Sequence, residues 1–169
     1  MTADVSTPNK AQSAMAAGAT IIRDLVAGTA AMRKADKLYL PKNEAESDAA
    51  YAARKTRSVL FNATGKTIED MTGKVFVKPV TLEKDVPQIL RDYAENIDLA
   101  GRHLNVFAKD VFQDSLQPGI GYIYVDMPPA VKRDDGKRAT IADETAAGIR
   151  PYLTFVPLEQ LIGWKSTVI

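Results

Sequence analysis

The stretch PGIGYIYVDMPP, residues 118–129, decides the fold class that this sequence predicts. Residues 120–125 are mostly aromatic and β-branched, and a proline pair follows them, which is typical of a β-strand. A second run of the same composition predicts another strand over residues 152–156. The insert KRDDGK, residues 132–137, contains an Asp-Gly turn signal and predicts an exposed loop between the two strands. Together these segments predict a small, incomplete β-sheet.

The rest of the second half gives weaker signals. Residues 138–148 are rich in Ala and Thr and predict irregular structure. Pro157 predicts a single helical turn that runs through Gln160. We expect a final strand around Trp164 with an open edge, where another chain could pair.

Helical periodicity dominates the first half. Residues 10–37 form an Ala-rich helical arm, a helix or helix pair weakened at Gly18 and Gly28. Ser47 or Asn43 can cap a second helix, which would be about 40 Å long if it ran unbroken from Ser47 to Gly73. Its apolar positions include Val59 and Leu60, and the poor helix formers Asn62, Thr64 and Gly65 can bend it.

Two further helices complete the predicted helical region, which spans residues 43–117. Residues 74–79 alternate and indicate a short strand or extended exit. Pro87 predicts the first turn of a third helix, with Asp85 as its cap. The fourth helix is predicted to start at Gly101 or Asp98. The inward-facing residues predicted for these helices are Ile89, Leu90 and Tyr93 in the third, and Leu104, Phe107 and Val111 in the fourth.

These elements predict an α+β fold in which about four helices pack on a small, incomplete β-sheet. We expect a flexible tail over residues 1–9 and one domain over residues 10–169, with a strand-rich part over residues 118–169. The chain has 169 residues, of which 46% are hydrophobic and 25% charged, and this composition is ordinary for a globular domain.

Charge and cysteine content exclude several classes of function. The formal net charge is +1, so no overall field attracts nucleic acid or an acidic membrane. The absence of cysteine excludes disulfides, thiolate metal sites and cysteine nucleophiles. No stretch approaches about 18 consecutive apolar residues, and the N-terminus lacks the pattern of a secretory signal, so we expect no membrane partner.

Few residues offer chemistry. His103 is the only histidine, and its place suggests a residue at a helix start rather than a catalyst or zinc ligand. Asp110 and Asp114 would share one helical face, where paired carboxylates can act as acid and base or hold Mg²⁺. Asp126 ends a strand, which suits a turn or, alternatively, a divalent-ion site. Asp134 and Asp135 form a further carboxylate pair. No phosphate-binding loop is present, and we expect no cofactor.

One local basic cluster, formed by Arg54, Lys55 and Arg57, is the candidate nucleic-acid contact. The alternative is a solvated helix face without a ligand.

Four blocks of residues carry a resemblance to a known family. The sequence resembles the portal-like structural proteins of tailed bacteriophages, in particular an uncharacterised portal-like group. The order and spacing of the blocks carry the match, which covers most of the chain from Tyr39 onward. The blocks are Tyr39 to Pro41 with Ser47 to Tyr51; Phe61 to Pro79; Ile97 to Val111; and Gly119 to Asp126 with Arg150 to Tyr152 and Ile162 to Trp164.

The resemblance implies a homo-oligomeric ring at one capsid vertex, with DNA passing through its channel. Its partners would be capsid, packaging-motor and tail proteins. It would be located in the virion, and in the host cytoplasm during assembly. The family has no catalytic residues, so the resemblance implies no enzyme. Portal proteins are longer, with channel helices and a motor-docking region that would lie beyond Ile169. The chain thus resembles their N-terminal part, or a truncated prophage remnant. The alternative functions are a small DNA-binding or interaction module and, less favoured, a carboxylate-dependent enzyme.

Overall fold

A computed structural model describes residues 6–131 and 138–164. The described residues contain seven α-helices, two single 3₁₀ turns and one two-stranded antiparallel sheet, so the α+β class is confirmed but the helices outnumber the predicted four. The elements are α1 (Lys10–Ala27), α2 (Thr29–Ala35), α3 (Asp48–Arg57), α4 (Ala63–Val75), α5 (Gln88–Glu95), α6 (Leu104–Ser115), β1 (Tyr122–Asp126), α7 (Ile141–Ala146) and β2 (Tyr152–Val156), with 3₁₀ turns at Asp36–Leu38 and Leu158–Gln160.

Two residues divide the long helices predicted for the first half. Gly28, with φ of +76°, separates α1 from α2, which confirms the helix-pair interpretation. Asn62 begins α4, because its side-chain oxygen accepts a hydrogen bond from the Gly65 amide at 2.8 Å. Its side-chain nitrogen donates to the Val26 carbonyl at 2.9 Å, which ties the start of α4 to α1. The predicted 40 Å helix is therefore two helices, and of the two candidate caps Ser47, not Asn43, caps the first.

Two local predictions are wrong because helices form in these segments. Residues 74–79 are not a strand, and the alternative extended exit does not begin at Lys74, since α4 continues to Val75 and a turn follows it. Residues 138–148 are not irregular, since they contain α7. The Thr140 and Asp143 side chains cap α7 reciprocally: Thr140 N donates to Asp143 Oδ2 at 2.8 Å and Asp143 N to Thr140 Oγ1 at 3.3 Å.

The starts and faces of α5 and α6 also differ from expectation. Pro87 precedes α5 without any side-chain cap, so Asp85 does not fill that role. The helix α6 begins at Leu104, after His103, rather than at Asp98 or Gly101. Ile89 and Leu90 are 56% and 48% exposed, so they do not face a core.

The core lies where α1, α4 and α6 pack together and meet the 3₁₀ turn Leu158–Gln160. Phe107 and Leu158 are 1% and 0% exposed and are the largest hydrophobic side chains that are fully buried among the described residues. Ala19 of α1 and Ile68 of α4 are also buried. The predicted inward position of Phe107 is confirmed.

The sheet pairs β1 and β2, from Tyr122 opposite Val156 to Asp126 opposite Tyr152. The second strand and the 3₁₀ turn lie where the sequence predicts them, whereas β1 begins two residues late. A Cβ atom at Gly121 would lie 1.9 Å from Ser115 Oγ and 3.0 Å from Phe155 Cε2, so a side chain at this position would require Ser115 to move.

The expected final strand around Trp164 does not form among the described residues. Residues 161–164 have no strand structure, and the chain contacts the start of α1 instead. Asn9 N donates to the Ile162 carbonyl at 2.7 Å, and Asn9 Nδ2 donates to the Trp164 carbonyl at 3.1 Å. Asn9, assigned to the tail by the sequence, therefore belongs to the folded unit; residues 1–5 of the tail lie outside the described residues.

Candidate functional site

The basic cluster of Arg54, Lys55 and Arg57 lies in the last turn of α3. The chain turns basic there without interruption, since residues 52–66 contain four cations and no carboxylate. Cations at a helix C-terminus are stabilised by the helix dipole, so their position has a structural reason independent of any ligand.

Arg54 is held by a carboxylate of the same chain. Its Nε donates to Glu46 Oε1 and its Nη2 to Glu46 Oε2, both at 2.9 Å, so the pair is bidentate. The Nη2 atom also donates to the Pro41 carbonyl. The pair lowers the pKa of Glu46 and raises that of Arg54. The guanidinium also lies 5.2 Å from the ring centre of the buried Tyr51. Arg54 is thus neutralised within the fold.

Lys55 is likewise paired. Its ammonium lies 2.6 Å from Asp36 Oδ1, and the Tyr51 hydroxyl lies 3.0 Å from the same oxygen. Hydrogen bonds from Lys55 and then Tyr51 lower the pKa of Asp36, and the same contact raises the pKa of Lys55. The contacts of Lys55 and Tyr51 with Asp36 join α3 to the 3₁₀ turn that follows α2.

Arg57 differs from the other two. Its Nε donates to the Ala53 carbonyl at 3.2 Å, and none of the described carboxylates lies within ion-pair distance of it. The cluster therefore offers one uncompensated cation rather than three. A nucleic-acid contact at Arg54, Lys55 and Arg57 stays a prediction, and only Arg57 among them lacks an ion-pair partner in the described part of the chain.

The two carboxylates of α6 serve different structural contacts. Asp114 forms a bidentate pair with Arg23 at 2.6 and 3.0 Å, and the same guanidinium also binds Glu159. Asp110 lies 3.5 Å from Arg102, whose main partner is Asp98. The helix aligns the two aspartates, but each is engaged by its own arginine.

Asp126 terminates β1, as the turn interpretation predicts. Its Oδ1 accepts a hydrogen bond from the Met127 amide at 2.8 Å, and its Oδ2 accepts one from the Tyr152 hydroxyl at 3.0 Å. The contact raises the pKa of Tyr152. Both carboxylate oxygens therefore stabilise the end of the sheet, and Asp134 and Asp135 lie outside the described residues.

His103 is confirmed as a helix-start residue. Its Nδ1 accepts a hydrogen bond from the Asn105 amide at 3.0 Å and caps α6, while its Nε2 lies 3.8 Å from Glu95. Within residues 6–131 and 138–164, no group of three or more His, Asp or Glu side chains is placed to hold a metal ion.

The sequence pattern does not predict an exposed apolar projection, which we call the prong. It consists of Val59 and Phe61 in the linker between α3 and α4, and these side chains are 75% and 89% exposed. The helical periodicity predicts Val59 and Leu60 on a helix face. The signal that could have revealed the prong is an apolar run placed directly before the helix-capping Asn62.

An apolar cavity of about 350 Å³ lies between α5, the start of α6 and β2. Nearly all its lining is hydrocarbon, including Leu82, Val86, Leu90, Tyr93, Ile97 and Leu104. Leu90 and Tyr93, predicted to face a core, line this cavity instead. A second hollow of about 290 Å³ adjoins it and shares Leu82 and Leu104.

Comparison with known proteins gives no family assignment: no family model matches this chain, and no curated protein matches its sequence. Among the described helices, none combines the length and the apolar character needed to cross a bilayer.

Proposed function

We propose that this chain is a structural subunit of the phage portal-like class, corresponding to the N-terminal part of such a protein, and that it works within a ring through which DNA passes. The residues of the resemblance suggest the class. The observation that supports it most is the amount of surface that the chain leaves uncovered.

The chain exposes 12406 Å² of surface. A folded monomer of its mass, 18.4 kDa, would expose about 8,200 Å². If the sixteen residues outside the described ranges are set aside at the maximum of about 160 Å² each, or roughly 2,500 Å² in all, about 1,700 Å² of the excess remains. This remaining excess suits a subunit that buries surface against neighbouring protein.

The two-stranded sheet is one region where apolar side chains remain exposed. Ile123, Tyr124 and Val125 are consecutive and are 51%, 57% and 60% exposed, so both faces of β1 contact solvent. The Leu153 amide donates to the Ile97 carbonyl, away from β1. Because Val125 lies opposite Leu153, the backbone N–H and C=O groups of Ile123 and Val125 point away from β2, to the open edge of β1. No described residue forms a hydrogen bond with them there. A two-stranded sheet is marginal alone, so a neighbour that covers it would stabilise it.

The charge distribution favours a structural subunit over a DNA-binding module. Arg54 and Lys55 are occupied by Glu46 and Asp36, which leaves little free positive charge to bind phosphates. Weak phosphate contact suits a channel through which DNA must move.

The test is sedimentation velocity of the gene product that contains this chain, over a range of protein concentrations. We expect one fast boundary at the mass of a closed oligomer. A single boundary at the monomer mass at every concentration would contradict the proposal.

A further inference from the structure

The prong is held rigidly although its side chains are exposed. Arg33 donates from two nitrogens to the Ser58 carbonyl at 3.1 and 2.8 Å, and the Leu60 amide donates to Thr29 Oγ1 at 3.1 Å. Asn62 fixes the end of the linker through its bonds to α1 and α4. A fixed backbone pays little additional entropy when its side chains bind, so Phe61 is suited to act as an anchor.

The apolar cavity has the size and chemistry for such an anchor. A cavity of about 150 Å³ is enough to hold a benzene ring. The cavity here measures about 350 Å³, which leaves room for the Phe61 ring with Val59 beside it. Phe61 is 89% exposed, so it does not fill the cavity of its own chain.

One unpaired charge lies beside each of the two features, and the two charges are opposite in sign. Residues 52–66, which surround the prong, contain four cations, but Arg54, Lys55 and Lys66 pair with Glu46, Asp36 and Asp70. Arg57 next to the prong lacks an ion-pair partner among the described residues. The same is true of Asp92 beside the cavity, whose Oδ1 accepts a hydrogen bond from Gln88, and residues 82–95 around it contain four carboxylates and two cations. Opposite charges at two docking surfaces orient two proteins as they approach.

We propose that the prong of one copy of this chain inserts into the apolar cavity of a second copy. The prong and the cavity are different surfaces, so the contact is head-to-tail and leaves one prong and one cavity free for further copies. Such contacts produce a ring when the rotation between copies closes. The inference rests on the proposed function only in that a ring subunit needs a second copy beside it.

Both halves of the contact lie on this chain, so the chain itself should associate. Sedimentation equilibrium compares wild type with Phe61→Ala, which removes the anchor, and Leu90→Arg, which puts a charge in the cavity. Ile141→Ala is the matched control, because Ile141 is 83% exposed on a different helix. We expect each interface variant to raise the dissociation constant about thirty-fold or more, as removal of an interface hot spot does, and the control to leave it unchanged.

Mixing the two variants tests the head-to-tail geometry. Phe61→Ala keeps an intact cavity and Leu90→Arg keeps an intact prong, so their mixture should form a heterodimer of wild-type affinity and nothing larger. Circular dichroism and thermal melting confirm that each variant is folded before it is scored. A mixture of folded variants that stays monomeric would overturn the inference.

Two further outcomes separate this inference from the proposed function. Wild-type chain that stays monomeric at about 100 µM, above the micromolar range of weak specific interfaces, would overturn the prong contact. Association that neither variant weakens would overturn it as well. In both cases a gene product that still sediments as a closed oligomer would leave the proposed function standing.

Discussion

Arg23, Asp114 and Glu159 form an ion triad. It leads to a prediction about Asp114, which the sequence suggested as a candidate acid or base. It joins α1, α6 and the 3₁₀ turn at Leu158–Gln160. The hydrogen bond to Asp114 is the main cause that raises the pKa of Arg23. Replacing Asp114 by Asn keeps the shape of the side chain and removes its charge, so it tests the ion pair with little change in packing.

The magnitude follows from the geometry and the exposure. Hydrogen bonds to charged groups contribute about 1.5–3 kcal/mol when they are shielded, whereas exposed ion pairs contribute about 1 kcal/mol or less. The Arg23 and Asp114 side chains are 26% and 29% exposed, which places the pair between these limits. Because Glu159 still holds Arg23 in the variant, we expect a loss of about 1–2 kcal/mol, or roughly 2–8 °C in melting temperature for a chain of this length.

Thermal unfolding followed by circular dichroism measures this loss. Asp70→Asn is the matched control, because Asp70 pairs with Lys66 on the surface, with side chains 53% and 69% exposed. We expect the control to have the same melting temperature as the wild type. Asp114→Asn melting at the same temperature as Asp70→Asn would refute the structural role of Asp114.

Three further variants probe other parts of the account. Leu158→Ala should lower the free energy of unfolding in urea by about 2–5 kcal/mol, because Leu158 is fully buried; a loss below about 1 kcal/mol would contradict its place in the core. Asn62→Ala should cost about 0.5–2 kcal/mol through loss of the α4 cap, also measured in urea, and an unchanged midpoint would speak against the cap. The lowered pKa of Asp36 stabilises the fold above its ordinary value of 3.8, and this contribution is lost as the pH falls through the lower folded-state pKa. Asp36→Asn should therefore show a shallower decline of melting temperature at acid pH than wild type; parallel declines would count against the Lys55 contact.

Local signals in the sequence predict the strands and several helix ends. The aromatic and β-branched composition of residues 152–156 predicts a strand that the structure confirms. Ser47 and Pro157 mark the starts of a helix and a turn because their effects depend on nearby backbone groups only.

The pairing of the basic cluster could not be predicted in the same way. The partner of Lys55 is Asp36, nineteen residues earlier in the chain, and the fold alone brings the two together. Periodicity placed Val59 on a helix face, but Asn62 ends that pattern through a contact with Val26, thirty-six residues away. The cavity is formed by three separate segments, so no single stretch of sequence reveals it.

We propose that this chain assembles into a ring. Electron microscopy of the purified gene product that contains it tests this most directly. We expect closed, ring-shaped particles with a central channel. Particles of monomer size alone, or open filaments that never close, would contradict the account.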